Sequence, residues 1–109
     1  MNPRRNGTVC TTLAVALWAA AGGANAQETQ SLPARSLAAT CAACHGTQGR
    51  AIDGAAVPGL AGMPSGYLRE QMKGFKSGAR QATLMSQIAK GYSDGQIEQL
   101  AAYFAAQKP

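Results

Sequence analysis

No stretch of this 109-residue chain alternates apolar and polar residues in the manner of a half-buried strand, and no internal repeat is present. The elements are therefore expected to be helices and loops. Nor is there a run of basic residues with interleaved aromatics, so nucleic-acid binding is not implied by the formal net charge of +5. The one long apolar run, Val9 to Ala21, is shorter than the ~20 residues that span a bilayer, and it ends in Gly22-Gly23. No permanent membrane anchor is expected from it. With Arg4 and Arg5 before it and Ala24-Asn25-Ala26 after it, the run reads as a cleavable signal peptide over residues 1–26. Residues 27–109 then form one small exported, periplasmic domain with eight basic and five acidic residues.

That domain is short of large apolar side chains. Only 18 of its residues are Ile, Leu, Val, Met, Phe or Tyr, and the lone tryptophan, Trp18, falls in the export segment. Domains of this size commonly need a disulfide, a metal or a cofactor to complete the core. Disulfides are permitted in an exported protein. Yet only Cys41 and Cys44 remain once Cys10 is removed with the signal, and a bridge across so small a loop stabilises little through chain entropy. Something else should fill the centre.

What the chain does have is concentrated in "TCAACHG", residues 40–46, which holds both cysteines and the only histidine, His45. Leu37, Cys41, Cys44 and His45 fall on one face of a helix expected from Pro33 to about Ala43, with Gly46 as its stop. C-x-x-C-H is the attachment signal for c-type haem: two thiols on one side can add to two vinyl groups, and the imidazole beside them can reach the iron. A thioredoxin-like redox pair would need a βαβ pattern, which is missing. A structural zinc site would need a fourth ligand, since the domain offers two cysteines and one histidine. A plain disulfide leaves His45 and the thin core unexplained.

With no second histidine, a methionine thioether is the natural partner on the opposite side of an iron held by His45. Three candidates exist. Met63 lies without apparent support in the loop "GTQGRAIDGAAVPGLAGMP", which carries five glycines and two prolines and is long enough to wrap something. Met72 sits with Leu68 and Phe75 on the apolar stripe of a helix expected over Ser65–Ser77, where it reads as a core gap-filler. Met85 follows a loop and opens a short helix expected to reach Lys90. A last helix begins at Ser93 with a capping box to Gln96, has Tyr92 and Ile97 at staple positions, and buries Ile97, Leu100, Ala101 and Phe104.

The pieces "CAACHG", "VPGLAG", "GYLREQMKGFKSG" and "TLMSQIAKGYSDGQIEQLAAYFAAQ" resemble the class I c-type cytochromes, specifically the small bacterial c553/c4 type. The resemblance covers most of Ser36 to Gln107. It implies an all-α small cytochrome c fold, three main helices and long loops around one haem c attached through Cys41 and Cys44. It also implies Met85 as the distal iron ligand, and Pro58 as the residue whose carbonyl accepts a hydrogen bond from His45. "GFKSG" and "MSQIAKGYS" look like the cytochrome subunit of flavocytochrome c sulfide dehydrogenase, which implies redox protein partners and among them a flavoprotein subunit.

The expected function is electron transfer, with His/Met ligation leaving no open position for substrate. Lys73, Lys76, Arg80 and Lys90 would form a basic rim for an acidic partner. The alternative is a haem-based sensor or peroxidase-like enzyme in which Met85 is labile.

Overall fold

Ser31 starts the first helix by accepting a hydrogen bond from the backbone N–H of Ala34 at 3.5 Å, with Pro33 in the first turn, where its missing N–H costs nothing. The structure, a computed structural model, describes residues 28–109, and the export segment expected over 1–26 lies outside them. The elements run α1 (Leu32–Ala39), α2 (Ala42–His45), a 3-10 turn (Thr47–Gly49), α3 (Ser65–Ser77), α4 (Met85–Ile88), a second 3-10 turn (Ala89–Gly91) and α5 (Asp94–Ala105). Among the described residues there is no strand, so the architecture is all-α, as the sequence pattern requires.

The last helix organises the rest. Its capping box is complete: Gln96 N donates to Ser93 Oγ at 3.2 Å, and Ser93 N donates to Gln96 Oε1 at 2.8 Å. One face buries Ile97, Leu100, Ala101, Tyr103 and Phe104. Tyr103 and Phe104 meet edge to face, their ring centroids 5.2 Å apart. Against this face α1 buries Ala34 and Ala38, with Leu37 packed at the margin, and two small side chains let the helices approach closely. Helix α3 adds Leu68 from the other side and ends at Gly78, whose φ of +83° places it in the left-handed region. Among the described residues, Ile97 is the only large side chain fully withdrawn from solvent. At about 1.5–3 kcal/mol for each large apolar residue buried, this is a modest core.

Helices α3 and α5 are also joined on their outer edge. Glu98 accepts from Lys73 Nζ at 3.0 Å and from Arg69 at 3.2 Å, and Asp94 accepts from Lys76 Nζ at 2.7 Å. The Lys76 hydrogen bond holds the Asp94 carboxyl below its ordinary range, and the Lys73 hydrogen bond does the same for Glu98. Because the folded values lie below the unfolded ones, the stabilisation is complete above the ordinary carboxylate range and is lost as pH falls through the lowered values. Glu98→Gln is therefore expected to lose little stability in acid while losing some at neutral pH. Urea midpoints of the two proteins measured down the acid range should converge, and the gap at neutral pH should be small because the pairs are solvated.

Candidate cofactor attachment site

Thr40 determines how the attachment segment is built. Its hydroxyl donates to the Leu37 carbonyl at 2.7 Å and its own N–H reaches the same oxygen at 3.4 Å. With Leu37 O taken, Cys41 N bonds instead to Ala38 O at 3.1 Å, one residue short of the α-helical pattern. The single helix expected from Pro33 to Ala43 is consequently divided: α1 stops at Ala39 and α2 restarts at Ala42. Leu37 and Cys41 pack on the buried cluster and His45 is buried, while Cys44 remains exposed.

Cys41 and Cys44 are both free thiols. Burial pushes the Cys41 thiol above its ordinary pKa, a trend partly offset by the Thr40 hydroxyl and reinforced by Cys44. Two unbridged sulfurs three residues apart are what addition across a pair of carbon–carbon double bonds requires.

His45 Nδ1 lies 2.7 Å from the carbonyl oxygen of Pro58. A carbonyl can only accept, so Nδ1 carries the proton and the lone pair of the neutral ring resides on Nε2. Every deeply buried side-chain nitrogen or oxygen among the described residues has a hydrogen-bond partner. Nε2 makes no such bond, so it is not sealed inside the protein and stays open to a ligand.

The carbonyl of Pro58 is held by a loop that is far from slack. Gly46, at φ +81°, ends α2 and turns the chain so sharply that a Cβ there would sit 1.9 Å from the Arg50 carbonyl oxygen. Gly49 O then accepts from Leu60 N at 2.7 Å and Ala61 N at 3.1 Å, closing the loop on itself. Gly62 N donates to Phe104 O at 2.9 Å, and Arg50 Nε donates to Lys108 O at 2.8 Å, stitching the loop to the end of α5. His45 and Pro58 are thus brought together by a chain of backbone bonds.

Met85 opens α4 and is half-buried. Ser86 Oγ accepts from Ala82 N at 3.0 Å, and Gln87 N and Ile88 N both donate to Leu84 O at 2.9 Å, so the turn presenting Met85 is well bonded. The other two methionines differ from expectation. Met63, seemingly unsupported in its loop, packs against the buried cluster, because the Gly49 and Gly62 bonds draw that loop inward. Met72, read as a core filler, is only half-buried and lies outside that cluster. Only Leu68 of its expected stripe reaches the core.

The basic rim is also altered. Lys73 and Lys76 are committed to Glu98 and Asp94, and the Arg80 guanidinium lies 4.7 Å over the Phe75 ring. Lys90, at the second 3-10 turn, is the member of the set left exposed without an ion pair, side-chain hydrogen bond or ring contact among the described residues.

A helical chain of this topology, presenting two free thiols and a histidine as C-x-x-C-H, has the fold of a class I c-type cytochrome. The Cytochrome c family model matches residues 33–108, and the chain belongs to that family. It is 37% identical over 107 residues to a thiosulfate dehydrogenase electron acceptor of Thiomonas intermedia (strain K12), covering 98% of this chain and 46% of the relative. It is also 37% identical over 68 residues to the cytochrome subunit of sulfide dehydrogenase of Chlorobaculum tepidum, covering 62% of this chain and 60% of that protein. The solved structure of cytochrome c4 from Acidithiobacillus ferrooxidans superposes with a TM-score of 0.58 at 35% identity, over 75% of this chain and 46% of the other. The chain spans half or less of the length of the first two curated relatives it matches, at 46% and 34%.

Membership implies covalently bound haem c, and Cys41 and Cys44 stand in the required arrangement. The residues fit the group. The thiols are unbridged, the imidazole tautomer leaves Nε2 free, and the modest core leaves Met72, Met85 and Tyr92 partly uncovered. Electron transfer is the family's activity, and relatives act as acceptor or cytochrome subunits of dehydrogenases. No helix among the described residues is long and apolar enough to cross a membrane.

Proposed function

We propose that the chain is a periplasmic electron carrier with one haem c, tethered by Cys41 and Cys44 and held between His45 Nε2 and the Met85 thioether. The observation that carries this reading is the 2.7 Å His45–Pro58 bond, which orients the imidazole and frees Nε2 for the metal. The cofactor supplies a one-electron couple between ferric and ferrous iron. The protein's task would be to hold His45 Nε2 and the Met85 thioether in place, so that substrate would be kept out and little of the chain would rearrange on transfer. Pro58 does so on one side by fixing the ring, and its bond makes the imidazole a stronger donor. The bonded turn before α4 does so on the other.

The electron donor proposed is a sulfur-oxidising dehydrogenase, because relatives include a thiosulfate dehydrogenase electron acceptor and a cytochrome subunit of sulfide dehydrogenase. The sequence resemblance makes a flavoprotein subunit the particular partner proposed. The reduced holoprotein should be inert to carbon monoxide on the mixing timescale, and the oxidised form should show a Met-to-ferric-iron charge-transfer band. Rapid carbon monoxide binding without that band would instead identify a sensor or peroxidase-like protein with a labile Met85.

A further inference from the structure

Thr40 and Tyr92 stand 52 residues apart in sequence, and their side-chain oxygens lie 2.8 Å apart. The direction of the bond follows from the second contact of Thr40. Its single hydroxyl proton is committed to Leu37 O at 2.7 Å, an atom that can only accept. Thr40 Oγ1 therefore receives, and the Tyr92 phenol donates.

The bond joins two segments with different tasks. Thr40 immediately precedes Cys41, at the start of the attachment segment. Tyr92 follows Met85 through α4 and the Ala89–Gly91 turn, which is hydrogen-bonded at Gln87, Ile88 and Tyr92 N itself. Among the described residues, no other hydrogen bond connects residues 82–92 with residues 32–46. The Tyr92 ring is packed against the buried cluster, so its hydroxyl is delivered with little rotational freedom.

We propose that Tyr92 is a positioning residue for the distal side of the site. By donating to Thr40, it pins the segment that carries Met85 to the segment that carries Cys41, Cys44 and His45. The proposal rests on the reading of Met85 as the distal ligand. Loss of the bond lets the short, stiff Met85–Tyr92 segment swing outward as a unit, so that exogenous ligands compete better with the thioether.

The test uses the ferric holoprotein and imidazole, with displacement of the thioether followed by loss of the charge-transfer band. Tyr92→Phe keeps the packed ring and removes only the hydroxyl, and it is expected to raise the apparent imidazole affinity about three- to tenfold, the worth of one such hydrogen bond. Thr40→Val should do the same, the double variant should go no further than the stronger single one, and Thr40→Ser should restore the original affinity. A Tyr92→Phe protein that melts lower yet binds imidazole as the parent does would overturn the proposal, as would additive effects in the double variant. Failure of the underlying ligand reading has another signature: the charge-transfer band would persist in Met85→Ala, and the assignment of Tyr92 would fall with it.

Discussion

In Met85→Ala, the Met-to-ferric-iron charge-transfer band is expected to vanish, the reduction potential to fall, and carbon monoxide to bind rapidly to the reduced protein. Met63→Ala and Met72→Ala should retain the band. The physical basis is the different support each thioether receives. Met63 is engaged with the buried cluster, and its truncation should register as core damage. Met72 rides on α3, whose ends are fixed by packing on α5 and by Gly78. Met85 stands at the first position of a helix only four residues long, in a turn closed by Ser86 and Leu84, where its side chain can serve a ligand without disturbing a core. A thioether donor favours the ferrous state, so its removal lowers the potential as well as opening the iron. Optical spectra of the four oxidised proteins, with carbon monoxide mixing of the reduced ones, decide the matter. A surviving band in Met85→Ala would transfer the role to another residue.

Gly46→Ala should be the most damaging single methyl group that can be added near the site. At φ +81° an L-residue is already strained, and the new Cβ would lie 1.9 Å from the Arg50 carbonyl oxygen and 3.1 Å from Ala51 N. Both are backbone atoms, so no side chain can swing aside to relieve the overlap. The loop must move, and with it the Pro58 carbonyl that orients His45. A cost of about 3 kcal/mol or more is expected from the strain and the displaced backbone together, equivalent to a drop of about 12–24 °C in the thermal midpoint of a domain this size. The imidazole proton should also exchange faster with solvent, which nuclear magnetic resonance of the holoprotein would detect. A midpoint within a few degrees of the parent would mean that the turn at Gly46 is much softer than its contacts suggest.

What the sequence revealed was local. The capping box needs only Ser93 and Gln96, the attachment motif needs five consecutive residues, and α3 occupies Ser65–Ser77 as its apolar spacing and the following glycine indicate. The division between α1 and α2 was hidden because a threonine at that point is compatible with a continuous helix. Only the competition of its hydroxyl for Leu37 O shows why the pattern changes. The Thr40–Tyr92 bond and the docking of the Gly62 region on Phe104 had no signature either, since each depends on segments tens of residues apart meeting in space. Neutralisation of Lys73 and Lys76 was similarly invisible: a basic side chain reads alike in sequence whether it faces solvent or a carboxylate on the next helix.

The packing of α1 on α5 has a consequence for the order in which the molecule is assembled. Cys41, Cys44 and His45 are contiguous and need only a turn of local structure, whereas on the proposed ligation Met85 would take its place only after a chain segment of more than sixty residues has been closed between Ala38 and Leu100. Closing a span of that size carries an entropic cost that local contacts avoid. On the proposed reading, the tether would therefore make no demand on the finished fold and could be completed on a chain not yet folded. The thioether side belongs to the last act of folding, and a chain caught before that act would already hold its cofactor but would not yet protect it.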